Sequence, residues 1–412
     1  MSRPAAAPVF PLDKADLCVK CGLCLPHCPT YGETEHEGDS PRGRIALMQG
    51  LATGTLAASV SLQAHLDGCL GCRACEKVCP AQVPYGELID AGRAMLVHQD
   101  PSRTRLTRWV RGVLTRAPLR RLARFKLWLY QRSGLQALIR GLHLLGRGPL
   151  ARLESLLPAY LERREATPQA GAARSSVQLF AGCVSDVADQ ATLNATRRLC
   201  ARIGLDVEEP ETQTCCGAID QHAGRPDAAQ ALVTRNLDAF PGTAPIAYCA
   251  SGCGASLREY DRLSVDPRAA SFARRATDLH ALLAHHWPLT LKLQPLPARA
   301  LVHLPCTQRN VVGGSDTILG LLNKIPQLQV EVLDPGRGCC GAAGTYFLSQ
   351  PAMADRLLDA QLDRIVARAP DYLLSSNIGC ALHLAAGLRR RGLTVPVLHP
   401  VQLLERQSAA PA

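Results

Sequence analysis

The sequence lacks features that would each indicate a different class of protein. No segment contains the ~20 consecutive, predominantly apolar residues that a helix needs to cross a bilayer. The longest uncharged run, Ile45–Leu66, is interrupted by Gln, Gly, Ser, Thr and His and is interpreted as a soluble helical segment. Met1–Phe10 has no basic start followed by an apolar stretch, so we expect no secretory signal. No G-x-G-x-x-G opens a helix directly after a strand and no G-x-x-x-x-G-K-[ST] occurs, so we expect no dinucleotide or nucleotide fingerprint.

Cysteine, in contrast, is abundant. The chain has 412 residues, of which 18 are cysteine. Many cysteines without an export signal favour metal ligation or redox chemistry over disulfide bonds. Apolar residues make up 47% and charged residues 20%, as in folded soluble proteins. The length predicts two or three domains.

Eight cysteines lie in two runs of the form C-x2-C-x2-C-x3-C-P, at Cys18–Pro29 and Cys69–Pro80. In paired runs of this kind, the first three thiolates of each run bind one [4Fe–4S] cluster and the fourth ligates the other cluster. Zinc sites usually separate their ligand pairs by a dozen or more residues, which argues against zinc. We predict one cluster on Cys18, Cys21, Cys24 and Cys79, and a second on Cys69, Cys72, Cys75 and Cys28. Such a pair forms an electron relay, but the spacing does not say what the relay connects.

The second half of the chain repeats one pattern, in which a cysteine is followed by Cys-Cys-Gly and then by Gly-Cys. The first copy contains Cys183, Cys215, Cys216 and Cys253, and the second contains Cys306, Cys339, Cys340 and Cys380. Apolar runs predict strands at Val177–Phe180, Ile246–Tyr248, Leu301–Leu304 and Tyr372–Leu374, and helix-like segments at Gln190–Ile203, Asp227–Ala239 and Ala352–Arg368. This alternation predicts parallel α/β units with the cysteines at the carboxyl edge of each sheet.

Each copy is a candidate metal site, and reduced structural thiols at strand ends are the alternative. Adjacent cysteines can face one metal only if the backbone turns sharply, which Gly217 and Gly341 permit. Cys200 is expected to be a small buried hydrophobe, and Cys249 is either a ligand or a packed thiol. Three histidines near cysteines are candidates for hydrogen bonding around a cluster, or else ordinary core or surface residues: His27, His303 and His383.

Positive charge is concentrated between Arg103 and Arg164, where 15 Lys or Arg residues meet only two acidic ones. This stretch carries +13, against +11 for the whole chain. Apolar residues at helical spacing predict a basic helical connector. Its surface is expected to contact anionic lipid, an acidic partner subunit or solvent. Nucleic acid is disfavoured because no recognition motif accompanies the charge.

These patterns predict a multidomain fold of mixed α+β and α/β class. Residues 1–100 are expected to form an α-helical, ferredoxin-like domain with two clusters, and 101–174 the basic connector. Two tandem α/β cysteine-rich domains, each with one Cys-Cys-Gly motif, are expected at 175–295 and 296–412.

Several stretches carry a resemblance over nearly the whole chain. They are Cys28-Pro-Thr-Tyr31, Asp39-Ser-Pro-Arg-Gly-Arg-Ile45, Cys79-Pro80, Gly338–Tyr346 and Ser376–Cys380. The chain resembles the iron–sulfur subunit of bacterial glycolate oxidase (glycolate dehydrogenase). Parts are shared with the third subunit of anaerobic glycerol-3-phosphate dehydrogenase, lactate-utilisation iron–sulfur proteins and heterodisulfide reductase subunits.

The resemblance implies an oxidoreductase complex in which FAD-binding partner subunits oxidise glycolate to glyoxylate. This chain would accept electrons from the flavin and deliver them to a membrane quinone, with no catalytic residue for substrate oxidation of its own. It implies two [4Fe–4S] clusters on the eight N-terminal cysteines, with one or two further clusters in the repeats. It also implies a cytoplasmic protein, peripheral on the inner face of the cell membrane.

Other functions stay open at this point. The complex can instead oxidise lactate or glycerol 3-phosphate. A heterodisulfide reductase-like enzyme with a catalytic Cys-Cys-Gly cluster, and a non-enzymatic redox sensor, are alternatives from other classes. The last cysteine of each repeat departs from the C-x2-C pair of heterodisulfide reductases, since Cys253 has its neighbour at Cys249 and Cys380 has none.

Overall fold

The computed structural model describes residues 8–142, 144–146, 148–168, 175–334 and 338–408. Residues 169–174, at the end of the predicted connector, lie outside the described part of the chain. The division into four domains therefore stays a proposal, whereas the predicted fold class is confirmed. A helical N-terminal part and a helical connector precede two parallel sheets.

The N-terminal part is built from short helices around one small core. They are α1 (Leu12–Asp16), α2 (Pro29–Thr34), α3 (Pro41–Ala52), α4 (Val60–Asp67), α5 (Ala74–Lys77) and α6 (Tyr85–Gln99). Met48, Leu66 and Leu88 are fully buried where α3, α4 and α6 pack together. This core supports the cysteine loops between the helices.

The uncharged run Ile45–Leu66 is helical at both ends but divided between α3 and α4. Gly54 has a φ of +75°, a left-handed conformation that breaks the helix soon after Ala52. Ser59 then begins α4, because its Oγ accepts a hydrogen bond from the backbone N–H of Leu62 at 3.2 Å. No helix in the described part of the chain is long and apolar enough to cross a membrane.

The basic connector forms α7 (Arg105–Leu114), α8 (Ala117–Arg132), α9 (Leu135–Gly141) and α10 (Pro149–Leu156). Buried Arg120 on α8 donates from Nε to Asp186 of the first repeat at 2.9 Å. Arg152 on α10 pairs with Asp355 of the second repeat at 2.7 Å. The connector is therefore anchored on both repeats, and the predicted helical pattern of α7 and α8 is confirmed.

The two sheets have the same topology and are entirely parallel. The first contains β1 (Ser175–Phe180), β2 (Leu205–Glu208), β3 (Ile246–Tyr248) and β4 (Ala276–Asp278), in the order β2-β1-β3-β4. The second contains β5 (Ala298–His303), β6 (Leu328–Val332), β7 (Tyr372–Ser375) and β8 (Val397–Leu398), in the order β6-β5-β7-β8. The expected strands are present, although β5 ends at His303 rather than Leu304. The apolar-run pattern did not predict β2, β4, β6 or β8.

Helices cover the faces of both sheets. The first repeat contains α11 (Cys183–Ala188), α12 (Gln190–Arg202), α13 (Ala218–His222), α14 (Pro226–Ala239), α15 (Ser251–Leu257), α16 (Tyr260–Leu263), α17 (Arg268–Arg275) and α18 (Leu279–His286). The second contains α19 (Ser315–Leu322), α20 (Tyr346–Ser349), α21 (Pro351–Arg368), α22 (Ile378–Arg390) and α23 (Pro400–Gln407). The three helices expected from the sequence are α12, α14 and α21.

One apolar core is shared between the two repeats. Leu179 of β1 and Val302 of β5 both point into it, and α12 packs against α23 while α18 packs against α19. Because successive strand residues face opposite sides, Phe180 instead enters a separate core on the outer face of the first sheet. The shared core joins the repeats into one body.

The cysteines of each repeat follow the carboxyl ends of three neighbouring strands, as predicted. In the first repeat these strands are β2, β1 and β3, and in the second β6, β5 and β7. The expected turns after the Cys-Cys pairs are confirmed, because Gly217 has a φ of +94° and Gly341 a φ of +75°. A Cβ on Gly341 would lie 2.6 Å from the carbonyl oxygen of Ala354, so no larger residue fits there.

Candidate metal centres

The two N-terminal cysteine loops have the same backbone conformation. The middle cysteine of each run, Cys21 or Cys72, is flanked on both sides by residues with positive φ. These are Lys20 (57°) and Gly22 (84°) in the first run, and Gly71 (63°) and Arg73 (57°) in the second. Alternating left-handed residues turn backbone N–H groups inward, a geometry typical of iron–sulfur sites. Accordingly, the N–H of Gly71 donates to Cys69 Sγ at 3.4 Å.

The first predicted ligand set lies near the surface. Cys18, Cys24 and Cys79 are half-buried against the N-terminal core, and Cys21 is exposed. Burial raises the pKa of Cys24 to about 11, and the charges of Cys18 and Cys21 raise it further. Such thiols become thiolates when a metal cation offsets their mutual repulsion, which is what an iron–sulfur cluster supplies.

The second predicted ligand set is more deeply placed. Cys28, Cys69 and Cys75 are buried, and Cys72 is half-buried. Burial holds the pKa of Cys75 well above its usual range, and the charges of Cys72, Cys69 and Cys28 act in the same direction. The fold therefore places Cys28, although it belongs to the first run, beside the three cysteines of the second. This arrangement of thiols fits the exchange of fourth ligands expected of paired clusters.

Arg44 is a buried cation beside this second set, and the cysteine spacing gave no indication of its role. Its side chain is 1% exposed. Nη1 lies 3.9 Å from Cys28 Sγ and donates to Thr30 Oγ1 at 3.0 Å. Nε donates to the carbonyl of His65 at 2.7 Å, and Nη2 to Asp39 Oδ1 at 3.3 Å. The guanidinium thus joins three N-terminal segments and brings a positive charge to the thiols.

We expect Arg44→Met to lower the reduction potential of the second N-terminal centre. A unit charge at a partly buried site contributes on the order of 2 kcal/mol, or about 90 mV for one electron, because it stabilises the more negative reduced state. Redox titration followed by electron paramagnetic resonance measures the shift. Arg44→Lys, which keeps the charge, is the matched control. An unchanged potential in Arg44→Met protein with full iron content would contradict this role.

The first repeat gathers its four cysteines in one apolar cluster. Cys183, Cys215 and Cys216 are buried there, and Cys253 packs against them. The thiols of Cys183 and Cys215, of Cys215 and Cys216, and of Cys216 and Cys253 lie close enough to shift each other's pKa. The Cys-Cys turn is fixed from outside, because Asn236 Nδ2 donates to the carbonyl of Cys215 and Tyr260 Oη to that of Cys216, both at 3.0 Å.

The second repeat also gathers its four cysteines. The thiols of Cys306 and Cys339, of Cys339 and Cys340, and of Cys340 and Cys380 lie close enough to shift each other's pKa. The neighbouring thiols of Cys306 and Cys340 lower the pKa of Cys339 well below its usual range, so negative charge is favoured at its sulfur. The N–H of Gly341 donates to Cys339 Sγ and Asn377 Nδ2 to Cys380 Sγ, each at 3.4 Å. Donors of this kind stabilise metal-bound thiolates.

The second N-terminal set adjoins the second repeat. Cys72 packs in a small apolar cluster with Cys339, Leu70 and Tyr346. Burial raises the pKa of Cys72, and the charge of Cys339 raises it further. Asn310 Nδ2 donates to the carbonyl of Cys72 at 2.8 Å and fixes this junction.

The two repeats also meet beside their last cysteines. Asn377 accepts a hydrogen bond from the N–H of Gly252 at 3.2 Å while it donates to Cys380. Ser251 Oγ and Thr307 Oγ1, which neighbours Cys306, are 2.8 Å apart. The thiol sets of the second N-terminal run, the second repeat and the first repeat therefore adjoin in that order.

The remaining cysteines lie away from these sets. Cys200 is 1% exposed on α12, as expected of a small buried hydrophobe. Cys249 lies in the core shared by the repeats, 3.5 Å from Thr196 Oγ1, whereas Cys183, Cys215 and Cys216 lie in the outer core. This position favours a packed thiol over a ligand.

The three candidate histidines have different surroundings. His27 is exposed. His383 is buried, and its Nδ1 donates to the carbonyl of Cys340 at 2.6 Å. His303 is also buried, and burial lowers its pKa to about 4, so its imidazole is neutral.

The connector presents an exposed apolar face. On α8, Leu122, Phe125 and Leu129 are 46%, 57% and 50% exposed and share one side of the helix. Exposed basic residues, Lys126 and Arg132, border them. A contiguous apolar face rimmed by charge indicates an interaction surface rather than a solvated one. We refer to Leu122, Phe125 and Leu129 as the α8 face.

Three protein families match segments of this chain. A 4Fe-4S dicluster domain matches residues 14–83, and a cysteine-rich domain matches twice, at 177–258 and 300–385. The linker region of the glycolate oxidase iron–sulfur subunit matches residues 103–157. The matches cover the N-terminal cysteine loops, both repeats and the basic connector.

Relatives cover almost the full length of the chain. It is 33% identical to a probable glycolate oxidase iron–sulfur subunit of Bacillus subtilis (strain 168), over 95% of this chain and 94% of the relative. It is 31% identical to the glycolate oxidase iron–sulfur subunit of Escherichia coli (strain K12), over 94% and 93%. Lactate utilization protein A of Bacillus cereus (strain B4264) is 26% identical over 56% of this chain and 99% of the relative.

Proposed function

The chain belongs to the family of glycolate oxidase iron–sulfur subunits, and from this premise we propose that it carries electrons from a partner FAD subunit to a membrane quinone. The partner oxidises glycolate to glyoxylate, and this chain accepts the electrons one at a time. The observation that carries the proposal is the packing of Cys72 against the apolar cluster that contains Cys339, because it brings the N-terminal thiol sets next to those of the repeats.

The proposed cluster ligands are those predicted from the spacing. Cys18, Cys21, Cys24 and Cys79 hold one [4Fe–4S] cluster, and Cys69, Cys72, Cys75 and Cys28 hold the other. When bound, each cluster accepts and releases a single electron. The protein's own contribution is to exclude water and to direct donors at sulfur, as Tyr85 does when its hydroxyl donates to Cys69 Sγ at 3.6 Å.

One or two further iron–sulfur clusters are proposed in the repeats. Their ligands are Cys183, Cys215, Cys216 and Cys253 in the first repeat, and Cys306, Cys339, Cys340 and Cys380 in the second. Convergence of four thiols at the carboxyl edge of a parallel sheet supports this assignment, because α/β folds bind their ligands at that edge. Gly217 and Gly341 allow the backbone to turn after Cys216 and Cys340, and Tyr260 holds the first of these turns by a hydrogen bond. The turns keep the two adjacent thiols of each Cys-Cys pair close together.

The α8 face is proposed to rest on the cytoplasmic surface of the cell membrane. Apolar side chains beside basic ones enter the headgroup region of anionic lipid, where each basic residue contributes ~1 kcal/mol. This placement brings the chain to the lipid that contains its electron acceptor. An acidic partner subunit would be the other occupant of such a surface.

The proposed function is tested on the complex purified without oxygen together with its partner subunits. We expect at least eight iron and eight sulfide per copy of this chain, and glycolate should reduce the iron–sulfur centres through the partner flavin. Four or fewer iron would contradict the paired clusters. Faster reduction by lactate or glycerol 3-phosphate than by glycolate would reassign the substrate while leaving the relay in place.

A further inference from the structure

The two repeats differ at a pair of positions next to their cysteines. Phe180 and Tyr248 lie opposite each other on β1 and β3, three and five residues before Cys183 and Cys253. At the same places in the second repeat, His303 and Ser375 lie opposite each other on β5 and β7. An aromatic pair in one copy is therefore a polar pair in the other.

One ring nitrogen of His303 has a hydrogen-bonding neighbour, and the other has none among the described residues. Its Nδ1 lies 3.1 Å from Ser375 Oγ. Its Nε2 is buried and has no hydrogen-bond partner among the residues that the structure describes. The whole residue is 3% exposed, so bulk water does not reach this atom. A buried imidazole nitrogen without a partner requires an explanation, and a bound metal ion is one.

His303 belongs to a compact group of possible metal donors. A ring nitrogen of His303 and the Sγ atoms of Cys340 and Cys380 all lie within 4.8 Å of one another. Donors this close can bind a single metal ion. The bond to Ser375 fixes the ring and, with Nδ1 as the protonated nitrogen, leaves the Nε2 lone pair free for a metal.

We propose that Nε2 of His303 ligates the metal centre of the second repeat, which makes this centre a mixed imidazole–thiolate site. This ligand role rests on the proposed function, because it requires a metal in the second repeat. In the first repeat Phe180 occupies the equivalent place, so that centre has thiolate ligands alone. If His303 takes the place of one of the four thiolates, the centre carries one negative charge fewer than the all-thiolate centre of the first repeat, and such a replacement raises the potential of an iron–sulfur centre. The second repeat is then the more oxidising of the two.

The test uses the full chain in its complex, purified without oxygen, and looks for nitrogen coupled to the reduced centres by pulsed electron paramagnetic resonance. We expect a directly coordinated ¹⁴N that becomes ¹⁵N when histidine is labelled. His303→Phe, which copies the first repeat, should lose this coupling. His303→Cys should keep the iron and lower the potential of the centre. His383→Gln is the matched control, since His383 is buried in the same repeat and donates to Cys340, and it should keep the coupling.

The outcomes separate the ligand proposal from its premise. An iron content unchanged by Cys380→Ser and Cys339→Ser would show that the second repeat holds no metal, and would overturn both. Iron lost in those variants, with no coordinated nitrogen in the unaltered chain, would overturn the role of His303 alone. If a variant fails to fold, the spectrum of the unaltered chain still tests the ligand, because the absence of a coordinated nitrogen there overturns the role of His303.

Discussion

Cys72→Ala should abolish electron delivery from glycolate to quinone while leaving reduction of the partner flavin largely intact. Cys72 is a proposed ligand of the second N-terminal cluster, and a cluster that loses one of its four thiolates is not retained in its native form. Cys72 also packs against the apolar cluster that contains Cys339, so its loss interrupts the series of thiol sets where the N-terminal part meets the repeats. Flavin reduction by stopped flow and quinone reduction at steady state measure the two halves separately.

Cys200→Ala is the matched control for this variant. Cys200 is more deeply buried than Cys72 but lies on α12, outside the four sets, and its replacement should change neither half-reaction. If Cys72→Ala also stopped flavin reduction in a properly assembled complex, the chain would do more than relay electrons. If quinone reduction continued at the normal rate, the proposed route would be wrong.

Replacing the α8 face, as Leu122→Ala, Phe125→Ala and Leu129→Ala together, should weaken binding to anionic vesicles about 100-fold. Each half-exposed side chain loses about 1 kcal/mol of apolar burial, so the three together lose about 3 kcal/mol. Vesicle flotation of the purified complex measures the change. Rising salt should also release the unaltered protein, because the basic residues act through screened charges.

Val265→Ala with Leu289→Ala is the matched control, since both residues are apolar and almost fully exposed away from the connector. Their replacement should leave vesicle binding unchanged. Binding that persists in the triple variant, or that salt does not affect, would contradict the lipid contact. Loss of the partner subunits from the triple variant instead would identify the α8 face as a subunit interface.

The sequence predicted the elements whose residues are strongly patterned. The cysteine runs, the repeat and the strands at Val177–Phe180 and Ile246–Tyr248 were recognisable because a metal site and a buried parallel strand each impose a regular spacing. The short strand β4 was missed because its residues, Ala276–Asp278, carry no apolar run. It forms through pairing with β3, which is a tertiary effect.

The contacts that surround the cysteines could not be predicted from the sequence. Arg44 contacts Thr30, Asp39 and His65 across up to 21 residues of chain, and no local pattern indicates such a network. Its only signal was its place in the Asp39–Ile45 stretch that carries the family resemblance. His303 was noticed for its proximity to Cys306, but its unpaired nitrogen is visible only in three dimensions.

The apolar core between the repeats has a mechanical consequence. Leu179 and Val302 both belong to it, and α23 packs on α12 of the first repeat. Neither copy can separate from the other without exposing this surface to water, so the pair unfolds as one cooperative unit rather than as two modules. The two copies of the repeated unit are therefore held together as an internal dimer within one chain. A destabilising change in either copy should lower the free energy of unfolding of both.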